Sequence, residues 1–144
     1  MGRLVEEEVT QQVIGAGIEV HRHLGPGLLE SVYERCMAHE LALRGLSVLT
    51  QVEIPLSYKD LELECGYRAD LIVNDKVLVE LKAVNKLLPV HEAQLLTYLR
   101  LTGIHVGLIL NFNVHVLKKG IVRMVLWKTR GREASEPQCL GASW

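Results

Sequence analysis

A chain of 144 residues that is 49% apolar and 23% charged is long enough to bury one real core and too short for two domains. Its formal net charge of −1 excludes the strong basicity of a dedicated nucleic-acid binder. Nowhere do 18 uncharged apolar residues run together, and the opening Met-Gly-Arg-Leu-Val-Glu lacks a basic start and a long apolar stretch. The sequence therefore predicts a cytoplasmic protein with no signal peptide and no membrane span. Cys36, Cys65 and Cys139 are odd in number, far apart and without a CxxC pair, so they predict neither a disulfide framework nor a zinc or iron–sulfur site.

In chain order, Leu4 to His23 carries apolar residues at Val9, Val13, Ile14, Gly17 and Ile18, near helical spacing, with glutamates in the first turn where the helix dipole favours them. Gly25-Pro26-Gly27 ends this helix, and a second runs from about Leu28 to Arg44, with Leu28, Val32, Met37 and Leu41 on its apolar side and Gly45 at its end. Strand signals follow over Val48 to Leu56 and over Leu61 to Cys65, the latter alternating as a half-exposed strand should. Tyr67 to Val73 and Val77 to Val84 form a hairpin. Pro89 opens a third helix that covers His91 to about Leu101 and closes at Gly103. His105 to Asn111 and Gly120 to Trp127 read as strands, the first so apolar that it belongs at the sheet centre. From Thr129 onward periodicity is lost, so residues 1–128 are expected to form the single domain and 129–144 a flexible tail. A helix between Ala83 and His105 permits a crossover to a parallel neighbour. The fold class is α/β, a mixed β-sheet flanked by α-helices.

Charge is distributed unevenly. Residues 1 to 64 hold eleven acidic side chains against five basic ones, whereas residues 113 to 132 hold Lys118, Lys119, Arg123, Lys128, Arg130 and Arg132 and no acid. Such a stripe either attracts phosphate backbones or merely solubilises an edge.

The hairpin carries the chemistry. Asp70, Glu80 and Lys82 interrupt two apolar runs, and a charge in a strand covered on both faces needs a partner or a metal. Glu80 and Lys82 share a face because side chains alternate. A two-residue turn at Asn74-Asp75 would put Glu80 on the opposite side from Asp70. A three-residue loop, Asn74-Asp75-Lys76, pairs Val73 with Val77 and brings Asp70 opposite Glu80, and this is the register expected. The same count sets Arg68 opposite Lys82, two cations that suggest an anionic ligand. A hard cation such as Mg2+ (or Mn2+) takes oxygen ligands and keeps several waters, so Asp70, Glu80 and the backbone carbonyl of Leu81 meet its needs. It would acidify water and neutralise a phosphoryl oxygen, with Lys82 beside the attacking water. Without metal the two carboxylates repel, one binds its proton more tightly, and Lys82 partly offsets this. The alternative is a structural ion-pair cluster.

Asp, nine residues, then Glu-x-Lys on a following strand resembles the PD-(D/E)XK nuclease superfamily. Gly27-Leu-Leu-Glu30-Ser-Val-Tyr33 resembles the motif that names the GxxExxY family within it. Tyr67-Arg68-Ala69-Asp70, Val79-Glu80-Leu81-Lys82-Ala83, Gln94-Leu-Leu-Thr-Tyr98 and Leu110-Asn111-Phe112 are similar to that family too, and the likeness covers roughly residues 5 to 127. It implies a restriction-endonuclease-like core and a Mg2+-dependent phosphodiesterase acting on DNA or RNA. In that reading Asp70 and Glu80 are metal ligands, Lys82 is the catalytic lysine, and Glu30 is a further acid that holds the metal through water. Gln94 and Tyr98, one helical turn apart, match the superfamily's auxiliary Gln-x-x-x-Tyr element. Arg68 and Tyr33 stand as further auxiliary residues, Tyr33 also reading as packing with a hydroxyl at its rim. The superfamily's proline before the aspartate is Ala69 here.

The six histidines lack paired metal spacing, and most read as surface or capping residues; His91 is the partial exception, sharing a helical face with Gln94 and Tyr98 from which it could touch substrate. Three functions follow: a metal-dependent nuclease, a nucleic-acid- or protein-binding module that keeps the nuclease core without turnover, or a purely structural subunit of a larger assembly. A homodimer would enlarge the basic surface, and the sequence does not decide it.

Overall fold

The computed structural model describes residues 6–64, 66–127 and 142–143. Helices α1 (Glu7–Leu24) and α2 (Glu30–Leu43) come first and pack on each other. Helix α1 buries Val9, Val13, Ala16, Gly17 and Val20, a stripe at helical spacing. Helix α2 buries a single file, Tyr33, Met37 and Leu41. Leu28 and Val32, expected on its apolar side, are 39% and 37% exposed. The helix begins at Glu30, so Leu28 precedes it, and Val32 lies one residue, about 100°, off the buried row.

The strand predicted over Val48–Leu56 is broken. It divides into β1 (Val48–Glu53) and β2 (Leu56–Tyr58) at Ile54-Pro55, where proline cannot donate to a ladder. Strand β2 pairs only with β3 (Leu61–Leu63), making a separate two-stranded sheet. All three residues of β3 are exposed rather than half-exposed, and Cys65, at the end of the predicted strand, lies outside the described residues, as does Cys139.

Strands β4 (Arg68–Val73) and β5 (Val77–Lys82), helix α3 (Pro89–Thr102), strands β6 (Val106–Asn111) and β7 (Ile121–Val125), and the two-residue β8 (Ala142–Ser143) complete the chain. The larger sheet runs β1-β4-β5-β6-β7-β8. Among the described residues its one parallel pair is β5 with β6, joined through α3, as the predicted crossover requires. Every residue of β6 is buried and β6 is interior to the sheet, as its composition predicts. Of the expected tail, residues 129–141 and 144 lie outside the described residues, while Ala142 and Ser143 pair with Arg123 and Val122.

Helices cover both faces, so the mixed α/β architecture is the expected one. One core layer joins α1 and α2 to Leu71, Val73, Val77, Val79, Leu81, Leu108 and Leu110. The other joins Leu95, Tyr98 and Leu99 of α3 to Ile72, Leu78, Ile109 and Met124. Helix α3 sits close to β6 because residue 107 is glycine: a Cβ there would lie 2.8 Å from Leu95 Cδ1.

The basic stripe is not continuous. Arg123 is 5% exposed, and burial lowers its pKa while Glu7 pulls it back up. As the middle residue of β7 it shares the inward parity of Ile121 and Val125, which pack under α1 and α2. Lys118 and Lys119 are exposed, and Lys128, Arg130 and Arg132 lie outside the described residues.

Candidate active site

The hairpin register is the expected one, Val73 opposite Val77, Ile72 opposite Leu78 and Leu71 opposite Val79. Asn74 and Asp75 make it possible, since both adopt left-handed backbone (φ 52° and 54°), which these short polar side chains tolerate best among residues with a Cβ. The Lys76 N–H closes the loop on the Val73 carbonyl at 3.0 Å.

Beyond Leu71 and Val79 the regular ladder stops, and side chains replace it. The backbone N–H of Asp70 donates to Glu80 Oε1 at 3.1 Å, and the N–H of Leu81 donates to Asp70 Oδ2 at 2.8 Å. Each carboxylate thus accepts the other strand's backbone donor, which holds the two acids side by side. Glu80 shares the parity of Leu78, which packs under α3, and its charge reaches Tyr98 on that helix. Because the ladder has ended, Arg68 does not pair with Lys82. Arg68 is exposed and lies opposite Glu53 on β1, so the expected two-cation pair is absent.

Glu80 is 6% exposed. Burial, then the charge of Asp70, pushes its pKa from 4.5 up to about 8, and Glu30 adds to the push; the Asp70 N–H and the charge of Lys82 act against it. The carboxyl therefore carries a proton at neutral pH when no cation is bound. Lys82 is half-buried at the end of β5, level with Asn111 on β6. Asn111 fixes the following loop: its amide donates to the Val84 carbonyl at 2.9 Å and its Oδ1 accepts the Val84 N–H at 3.1 Å.

Glu30 is the first residue of α2 and is exposed, acting on Glu80 through its charge alone. Tyr33 is fully buried. Its ring stacks on Phe112 (4.3 Å, 11°), and its hydroxyl donates to the Gly25 carbonyl at 2.6 Å and accepts the Leu28 N–H at 3.2 Å. Tyr33 thus braces the turn from which Glu30 emerges. On α3, Gln94 Nε2 donates to the Tyr98 hydroxyl at 2.8 Å, so these two meet as expected. Tyr98 is 4% exposed, and burial followed by the charge of Glu80 raises its pKa, which keeps it a phenol with a proton to donate. Tyr67, 43% exposed, lies with its ring 6.1 Å from that of Tyr98.

His91 caps α3, its Nδ1 accepting the Leu88 N–H at 3.0 Å. His21 is buried rather than on the surface, with Nε2 2.8 Å from the Val114 carbonyl.

Two residues that the sequence does not single out join the site. Gln51 on β1 donates from Nε2 to Asp70 Oδ1 at 3.2 Å and to Glu34 Oε1. Glu34 follows Glu30 by one helical turn, a spacing that places both on one face and could have drawn attention to it. Nothing in the sequence marks Gln51.

Among the described residues, no group of three or more His, Cys, Asp or Glu side chains stands ready to hold a metal ion. The pair of acids nevertheless suits a hard divalent cation that keeps most of its waters, because one carboxyl is desolvated beside another and both are held by backbone donors. Asp70 and Glu80 are the residues that would hold it. Among the described residues, no helix is long and apolar enough to cross a membrane. A family model described as the PD-(D/E)XK nuclease superfamily matches residues 7–124, which include every site residue named above. No curated protein and no solved structure matches the chain.

Proposed function

The chain belongs to the PD-(D/E)XK nuclease superfamily, and we propose that it is a cytoplasmic, Mg2+- or Mn2+-dependent nuclease of the GxxExxY branch that hydrolyses phosphodiester bonds in DNA or RNA. The observation that carries this reading is the exchange of backbone donors between Asp70 and Glu80, which sets two acids side by side with Lys82 two residues further along the same strand. When bound there, a hard divalent cation supplies a Lewis acid that neutralises phosphoryl charge and lowers the pKa of water.

The protein's own groups do the rest. Asp70, held at both oxygens, keeps its carboxylate oriented. Glu80 would hold the cation as a carboxylate and would give up its proton to do so. Lys82 orients the attacking water and offsets the negative charge on the phosphoryl oxygens. Tyr98, fixed by Gln94, offers its O–H to a phosphate oxygen. Glu30 is a further acid at the mouth of the site, and Arg68 contributes positive charge to the outer part of the substrate.

The second reading, a nucleic-acid- or protein-binding module without turnover, draws on the lack of a ready three-ligand cluster among the described residues. Cleavage of labelled single- and double-stranded DNA and RNA at millimolar Mg2+ or Mn2+ separates the two. Hydrolysis that is lost in Lys82→Ala and in Glu80→Gln supports the nuclease. Binding that survives Lys82→Ala, with no cleavage of any substrate by the wild type, supports the module.

A further inference from the structure

Strand β1 contains a residue in a conformation that a strand does not need. Gln51, in the middle of β1, has φ 50°, left-handed backbone that residues with a Cβ adopt rarely. The register between β1 and β4 skips this point: Thr50 lies opposite Leu71 and Val52 opposite Ala69, but Gln51 and Asp70 form no rung. The strands roll over there. Val48 packs in the layer under α1 and α2, whereas Val52, of the same parity, packs in the layer under α3. Across the gap Leu71 and Val73 belong to the first layer and Ala69 to the second. Asp70 therefore sits where the ladder is open on both sides, towards β1 and towards β5.

What fills the opening towards β1 is the Gln51 side chain. Its amide donates to Asp70 Oδ1 while Leu81 N–H holds Oδ2, so both oxygens of one carboxylate are fixed from opposite neighbouring strands. The same amide donates to Glu34 Oε1 and so ties that carboxylate to α2. Unfavourable backbone geometry at such a point is characteristic of residues that aim a functional group.

We propose that Gln51 is a positioning residue whose amide, aimed by the left-handed turn inside β1, orients the Asp70 carboxylate towards the cation and links it to Glu34 on α2. The proposal rests on the reading of Asp70 as a metal ligand. Partners that orient a ligand from behind typically change metal affinity by about 10- to 100-fold when removed. A Gln51 that merely ties α2 to the sheet would alter stability and leave affinity alone.

The test is a Mn2+ titration of the full chain, followed by the electron paramagnetic resonance signal of free Mn2+, on wild type, Gln51→Leu and Gln51→Gly, with the urea midpoint of each measured alongside. Gln51→Leu removes the amide and keeps the strain. Gln51→Gly removes both, since glycine adopts left-handed backbone freely. The expected result is Mn2+ binding at least about tenfold weaker in both variants, whatever the direction in which the midpoints move. Should Gln51→Leu fail to fold, Gln51→Gly alone carries the test. Wild-type affinity in Gln51→Gly would overturn the proposal while leaving the metal site intact. A wild type that binds no Mn2+ would overturn the nuclease reading and this proposal with it.

Discussion

Raising the pH in the presence of EDTA should destabilise this protein by way of a single carboxyl. Glu80 has a folded pKa of about 8 against an ordinary 4.5. Below 4.5 the group is protonated in both states and costs nothing. Between 4.5 and about 8 the unfolded chain gives up this proton and the folded one keeps it, so stability falls by about 1.4 kcal/mol per pH unit. Above about 8 both states are ionised and the loss levels off. Integrated from pH 5 to pH 9, the contribution is about 4 kcal/mol, a large part of the 5–15 kcal/mol that usually holds a domain together. Glu80→Gln keeps the shape and the burial but cannot ionise. Urea unfolding of wild type and Glu80→Gln at each pH from 5 to 9 in EDTA isolates the effect, because other titrating groups largely cancel in the difference. The stability of wild type relative to Glu80→Gln should decline steadily to about pH 8 and then flatten. A difference that stays constant across the range would refute the reasoning.

Other perturbations probe neighbouring parts of the argument. At pH 7 a carboxyl with a pKa of about 8 is about nine-tenths protonated, so Mn2+ binding should release close to one proton, measurable by titration calorimetry in buffers of different ionisation enthalpy. Tyr33→Phe keeps the stack on Phe112 but leaves the Gly25 carbonyl and the Leu28 N–H without their hydroxyl partner; urea unfolding should show a loss of about 1–2 kcal/mol. Gly107→Ala forces a methyl against the fully buried Leu95 and should cost about 1–3 kcal/mol in the same assay.

The parts of this fold that are governed by local chemistry are legible in the sequence. Asn74 and Asp75 are residues suited to a left-handed loop, and the apolar Val73 and Val77 on either side set the register that brings Asp70 level with Glu80. Pro89 and Gly103 bracket α3, the latter with φ 76° and its N–H on the Leu99 carbonyl. The apolar run of β6 marks it as an interior strand because only a strand covered on both faces tolerates it. What the sequence conceals depends on tertiary context. The ladder ends at Leu71 and Val79 because two carboxylates capture the next backbone donors, so counting residues misplaces Arg68. Arg123 reads as surface charge although its strand buries it. The roll-over at Gln51 has no signature, since glutamine is not a residue that favours left-handed backbone, and its role emerges only from the acids around it.

The most direct test of the central claim is a crystal of the wild-type protein soaked in MnCl2 and measured at a wavelength where manganese scatters anomalously. An anomalous peak is expected within coordination distance of carboxylate oxygens from both Asp70 and Glu80. Clean electron density for both side chains with no peak between them, or a peak held by other residues, would contradict it.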